Sequence, residues 1–134
     1  MLHFTLDVVP HSKKNSSQIC TLKNGKTILL PSKLYKQFEK ECLSLISKDL
    51  KVNIDKPVNI KAHFYCKTRR KIDLTNLLEA LDDMLVKAGV LEDDNRNIIA
   101  AHDGSRVYWD KEHPRIEIWI EDLKEKYQEW DTKK

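Results

Sequence analysis

The stretch VNIKAHFYCKTRRKIDLTNLLEALDDMLVKAGV, residues 58–90, changes its hydrophobic period once, and that change decides the fold. From residue 58 to 66, Val58, Ile60, Ala62, Phe64 and Cys66 alternate with Asn59, Lys61, His63 and Tyr65, the period of two that a half-buried strand requires. After the basic run Lys67–Lys71 the period lengthens. Leu74, Leu77, Leu78, Leu81, Met84, Leu85 and Ala88 fall within one arc at about 100° per residue, while Thr75, Glu79, Asp82 and Asp83 lie outside it. Asp73 is placed to cap this helix with its carboxylate, and Gly89 suits the left-handed position just past its end. A strand feeding a helix in this way allows a βαβ crossover to a later strand.

Upstream, Leu2, Phe4, Leu6 and Val8 alternate with polar residues as another strand, which Pro10 ends. Residues 11–18 are polar and read as an exposed loop. Residues 19–22 and 27–30 then flank Lys23-Asn24-Gly25-Lys26, where Asn-Gly predicts a type I′ hairpin turn. Pro31 and Ser32 open a helix with Ser32 as N-cap and Leu34, Phe38, Cys42, Leu45 and Ile46 as its apolar stripe. Downstream, residues 90–95 form a short acidic turn. Strand pattern returns at residues 98–101, at 107–109 and at Ile116, Ile118 and Ile120, with Trp119 on the opposite side from those isoleucines. The whole predicts an α+β fold, a single two-layer domain with a mixed β-sheet and two main helices over residues 1–121, followed by a charged C-terminal helix or tail at 122–134.

Composition agrees with one compact domain. Of 134 residues, 40% are hydrophobic and 34% charged, with 3 Gly and 4 Pro, which excludes collagen-like and low-complexity chains. No apolar run approaches the roughly 18 residues a membrane span needs, and the first ten residues lack a secretory pattern, so a cytoplasmic protein is expected. Cys20, Cys42 and Cys66 have no CxxC spacing and read as core residues rather than disulfides or a zinc site.

Charge is unevenly placed. Residues 1–71 hold fifteen Lys/Arg against five Asp/Glu, and residues 72–134 hold nine against sixteen, so +10 and −7 make the net +3. Lys67, Arg69, Arg70 and Lys71 run directly into the acidic segment. Together with Lys13, Lys14 and Asn15 they suit contacts to a phosphate backbone, or are simply solvated. Asp93 and Asp94, with Asp73 before them, are hard oxygen ligands of the kind that hold Mg²⁺ or Mn²⁺, ions that neutralise phosphodiester charge, acidify water and stabilise a departing 3′-oxygen. A helix cap and an ordinary surface turn account for the same three residues without any metal. About fifteen helical residues separate Asp73 from Gly89 by roughly 22 Å, and five extended residues reach back at most ~18 Å. Either the acidic turn folds back along the helix, or a second subunit completes the site. Trp109, Trp119 and Trp130 suit stacking on bases or packing at an interface, and His102-Asp103 reads as a loop pair.

The series Arg69-Arg70-Lys71-Ile72-Asp73-Leu74-Thr75-Asn76-Leu77, then Asp83, then Lys87-Ala88-Gly89-Val90-Leu91-Glu92-Asp93-Asp94-Asn95, resembles the RusA family of Holliday-junction resolvases. Val9-Pro10 and Lys13-Lys14-Asn15-Ser16 are similar to that family's N-terminal loop. The resemblance spans roughly residues 5–121, with its specific part at 69–95. It implies a small homodimeric, Mg²⁺-dependent endonuclease, often encoded by phages or prophages, that nicks four-way DNA junctions symmetrically in recombination and repair. By position, Asp73, Asn76 and Asp94 match the family's motif residues, as do Asp83 and Asp93. The resemblance thus implies Asp73, Asp93 and Asp94 as metal-holding catalytic residues and Asn76 with the basic residues as DNA contacts. Two positions depart from the pattern: Thr75 stands where a second motif aspartate is often found, and Glu79 where a lysine is often found. Thr75, Glu79 and Asp83, at i, i+4 and i+8, predict a rearranged acidic face to which Glu79 and Asp83 contribute ligands. The alternatives are a weak or silent junction-binding dimer, or a nuclease of the same fold acting on forks, flaps or phage packaging intermediates.

Overall fold

The computed structural model describes residues 1–12, 17–31 and 33–123, with the two hairpin strands described by their backbone. Strand β1 is Leu2–Leu6, β2 Ser17–Thr21, β3 Thr27–Pro31, β4 Val58–Cys66, β5 Ile99–Ala101, β6 Arg106–Trp109 and β7 Arg115–Asp122. Helix α1 is Lys33–Leu45 and α2 is Leu74–Lys87, with a 3-10 turn at Lys48–Leu50. The main sheet is mixed and five-stranded, in the order β1-β7-β4-β5, with β6 also paired to β4. β7 runs antiparallel to β1 and β4, while β5 and β6 lie parallel to β4. The connection from β4 through α2 to β5 is therefore the βαβ crossover expected from the change of period. Among the described residues β2 and β3 pair only with each other. The result is a single α+β domain, as the sequence predicts.

Register explains the core. Leu6, Ile116 and Phe64 lie opposite one another across three strands, as do Phe4, Ile118 and Ala62, and Leu2, Ile120 and Ile60. Because side chains alternate, this places every one of these apolar residues on one face. Leu77, Leu81, Met84 and Leu85 of α2 and Tyr35, Phe38 and Cys42 of α1 belong to the same buried cluster. The opposite face carries His3, Trp119, Lys61 and His63, with Trp119 stacked on His3 at 4.5 Å and under the Lys61 ammonium at 4.6 Å. Cys42 and Cys66 are buried as expected, while the Cys20 side chain lies outside the described residues.

Three local expectations are corrected. The hairpin is not type I′: Gly25 has φ +85° but Asn24 stays negative, and Gly25 N–H donates to Leu22 O while Leu22 N–H donates to Lys26 O. That is a three-residue loop with glycine in the left-handed position, a geometry in which Asn24 accepts from Lys26 N–H instead of taking positive φ itself. In α1, Leu34 and Leu45 are exposed and Tyr35 is buried, so the inward stripe is Tyr35, Phe38, Cys42 and Ile46. The apolar body of tyrosine can line a core that a count of aliphatic residues alone assigns elsewhere. At α2, Asp73 takes the N-cap backbone conformation, but its carboxylate makes no capping bond. The expected cap Ser32, the basic loop Lys13-Lys14-Asn15 and the tail from 124 onward lie outside the described residues.

Candidate active site

α2 presents Thr75, Leu78, Glu79 and Asp82 to a shallow cleft of about 230 Å³ that Asp94 and His102 also line. The spacing i, i+3, i+4, i+7 follows from helix geometry: seven residues turn about 700°, 20° short of two full turns, whereas eight overshoot by about 80°. Asp82 therefore takes the place on this face that the sequence expectation gave to Asp83. Asp83 stays close enough for its charge to be felt at both Asp82 and Asp94.

The chain after α2 returns along the helix. Gly89 at φ +83° lets Val90 N–H bond to Leu85 O, and Val90 and Leu91 are then fully buried. Ile54 N–H donates to Val90 O and Glu92 N–H to Ile54 O, which anchors the turn on a neighbouring segment. Beyond that anchor, Asp94 N–H donates to Asp93 Oδ1 at 2.7 Å, and Asn97 N–H to Asn95 Oδ1 at 2.9 Å. These side-chain turns leave Asp94 in the cleft with Thr75 and Glu79, so one chain suffices to bring them together. Asp93 is occupied in shaping the turn and does not line the cleft. Asp73 does not line it either; its Oδ2 accepts from Asn76 Nδ2 at 3.3 Å.

Asp82 and His102 form the inner wall. His102 Nδ1 donates to Ile60 O at 2.9 Å, and Nε2 lies 2.9 Å from Asp82 Oδ2. Burial opposes charge on this imidazole, yet the Asp82 carboxylate and the Ile60 carbonyl together raise it above its ordinary value. Burial also raises the Asp82 carboxyl, against the pull of His102. Among the described residues Asp82 Oδ1 is buried without a hydrogen-bond partner, a costly state for a carboxylate oxygen. Asp94 is raised as well, by desolvation first and then by the hydrogen bond and charge of Asp93 and by Asp83. Asp82, Asp83, Asp93 and Asp94 thus lie close enough to oppose one another's ionisation.

Such a donor set, carboxylate oxygens with a threonine hydroxyl, fits a hard divalent cation. Among the described residues, no three His, Cys, Asp or Glu side chains stand together as a preformed metal cage. Magnesium characteristically uses one or two carboxylates and fills its other positions with water and phosphate oxygens, so an open half-site is compatible with it.

The basic segment leads from β4 to α2. Lys67, Arg69, Arg70 and Lys71 are all exposed. Arg69 lies over the Trp109 ring at 4.0 Å, and the charge of Arg70 reaches both His11 and Cys66.

Asp82 and His102 were not singled out from the sequence as site residues. Asp82 carried a signal, its i+7 relation to Thr75. His102 carried none, because its partner lies twenty residues away across the crossover.

A small α+β domain with an acidic cleft beside an exposed cationic segment has the layout of an enzyme that works on a phosphodiester backbone. The model of the endodeoxyribonuclease RusA matches residues 7–121, and the chain belongs to this family of Holliday-junction-resolving endodeoxyribonucleases, hydrolases of phosphodiester bonds. No curated protein matches the chain. No helix among the described residues is long and apolar enough to cross a membrane.

Proposed function

We propose that the protein resolves four-way DNA junctions as a homodimer with Mg²⁺, Mn²⁺ being able to substitute, and that the cleft of Asp94, Asp82 and Glu79 is where the ion binds. The observation that carries this reading is Asp82 Oδ1, a buried carboxylate oxygen without a partner among the described residues, on a side chain that lines the cleft together with Asp94. Asp94 and Asp82 would hold the ion directly, with Glu79 and the Thr75 hydroxyl beside them. When bound, the ion neutralises charge on the phosphodiester and the departing 3′-oxygen and makes water more acidic. His102 positions Asp82; with both ring nitrogens engaged it does not shuttle protons. Asp93 orients Asp94 through the backbone bond at 2.7 Å. Asp73, held by Asn76, contributes from the N-terminal end of α2, and Asp83 contributes charge. Lys67, Arg70 and Lys71, with Lys13 and Lys14, carry the DNA backbone. Two copies of the chain supply the two symmetric nicks, and the site of action is the cytoplasm.

The test is an end-labelled four-way junction and its matching linear duplex, each incubated in Mg²⁺ and in EDTA. Paired Mg²⁺-dependent nicks are expected on the junction alone, with loss of roughly 100-fold or more in Asp94→Asn and Asp82→Asn, the scale set by removing one group that stabilises transition-state charge. Full cleavage by Asp94→Asn, or equal cleavage in EDTA, overturns the assignment. Junction binding without nicks in any metal favours a silent binding dimer, a reading that Thr75 in place of a carboxylate supports. Cleavage of forks or flaps in preference to junctions changes the substrate and keeps the site.

A further inference from the structure

Beside the basic segment, and separate from the acidic cleft, a second cleft of about 430 Å³ opens between the end of β4 and strand β6. Its walls include Arg69, Arg70 and Ile72 from the β4–α2 connection and Val107 and Trp109 from β6. Val107 and Trp109, on one face of β6, are 36% and 47% exposed, while Tyr108 points to the other face and stacks on Tyr65 at 5.0 Å; among the described residues β6 pairs only with β4. An edge strand that exposes a valine and a tryptophan on one face is a liability unless something covers it. Trp109 is held in place: its indole N–H donates to Lys67 O at 3.3 Å, Asp110 N–H bonds to Cys66 O at 2.9 Å, and the Arg69 guanidinium lies against the ring at 4.0 Å. The nearby carboxylate of Asp110 is taken by Arg115 at 2.9 Å, so it does not neutralise Arg69.

We propose that this cleft is a stacking site for one unpaired base of the DNA substrate, with Trp109 and Arg69 as its platform. The inference rests on the nucleic-acid reading above and adds a contact of another kind to it. An aromatic face with Arg69 against it, an apolar wall of Ile72 and Val107, and a cationic rim at Arg70 match the parts of one nucleotide: a flat base next to a charged phosphate. A paired base inside a duplex has both faces covered, whereas a base at a strand exchange or in a single strand offers one, and stacking of that kind is tolerant of sequence. Arg69 thereby serves base stacking rather than the phosphate contact expected of it from charge alone. Ile72 is followed within three residues by Thr75, so a base seated here is held by the same connection that leads into the acidic cleft.

The experiment uses the full chain in EDTA, with a twelve-nucleotide oligo-dT strand, a blunt duplex, a four-way junction and a poly-glutamate chain as probes. Intrinsic tryptophan fluorescence is expected to be quenched by oligo-dT, with the quenching removed in Trp109→Phe. Trp109→Ala is expected to weaken oligo-dT binding by about 5- to 150-fold, the cost of losing one base–aromatic stack, with duplex affinity changed less than about twofold. Val107→Glu, which places a carboxylate in the cleft without removing the ring, should show the same selectivity and serves if Trp109→Ala does not fold. Equal losses on duplex and single strand, unchanged oligo-dT binding in either folded variant, or poly-glutamate binding that also depends on Trp109 overturns the proposal, the last pointing to an acidic protein partner. Junction cleavage by the wild-type chain in Mg²⁺ separates the two readings: nicking with no Trp109 effect defeats only the stacking site, and Trp109-dependent oligo-dT binding without nicking defeats only the metal cleft.

Discussion

At the scale of single residues, the pairing of Asp82 with His102 holds the cleft together. Removing the imidazole takes from the part-buried Asp82 Oδ2 its partner, beside an Oδ1 that has none among the described residues. His102→Ala should therefore lower stability by about 1–3 kcal/mol, the usual desolvation cost of an orphaned buried polar group. The sign of its pH dependence follows from the direction of the shift. Since His102 is raised in the folded state, its contribution is fully present below the unfolded value of 6.5 and is lost as pH rises through the folded value. Urea denaturation without divalent ions should accordingly show a larger gap between wild type and His102→Ala at pH 6 than at pH 9. A gap that grows with pH would contradict an imidazolium–carboxylate pair. Of this arrangement, Asp94 was legible in the chain through its acidic turn and Asp82 left one trace, its i+7 spacing from Thr75, but His102 left none, because it has no meaning until the crossover brings residues 82 and 102 face to face.

Among the elements, α2 and the turn after it carry the geometry. The alternation at Val58–Cys66 and the 3.6-residue arc behind Asp73 made both elements legible, since each buries one face and periodicity records that directly. How the acidic turn returns along the helix depends on Gly89 and on the bonds that tie residues 90–92 to Ile54, which spacing does not record. A Cβ at Gly89 would meet only Lys51 at 3.8 Å, so the substitution Gly89→Ala is limited by its φ of +83° rather than by space. It should cost about 1–2 kcal/mol in thermal or urea unfolding, the penalty for a left-handed residue with a side chain. Mg²⁺ or Mn²⁺ affinity by calorimetry should fall with it, as Asp94 loses its fixed approach to Asp82. Unchanged stability in that variant would show that the turn does not depend on the left-handed glycine.

Over the whole molecule, opposite charges sit in adjoining places: an acidic cleft for the ion and a basic connection for the polyanion. Binding of a junction in EDTA should weaken steeply with salt, and Arg70→Ala or Lys71→Ala should each reduce the slope of log affinity against log salt by about 1. A slope unchanged in both variants removes that segment from the backbone interface. The amino-acid sequence by itself determined the α+β class, the strand and helix that frame the site, the position of the acidic turn and the family resemblance, because these depend on period, local turn chemistry and residue order along the chain. Only the tertiary structure decided that Asp82 rather than Asp83 faces Asp94, that His102 braces it, that Asp73 leaves its helix uncapped by its side chain, and that Arg69 lies on Trp109. The His102–Asp82 and Arg69–Trp109 contacts join segments distant in sequence, while the places of Asp82 and Asp73 follow from helix rotation and local side-chain geometry, and one residue of rotation or register changes which side chain arrives.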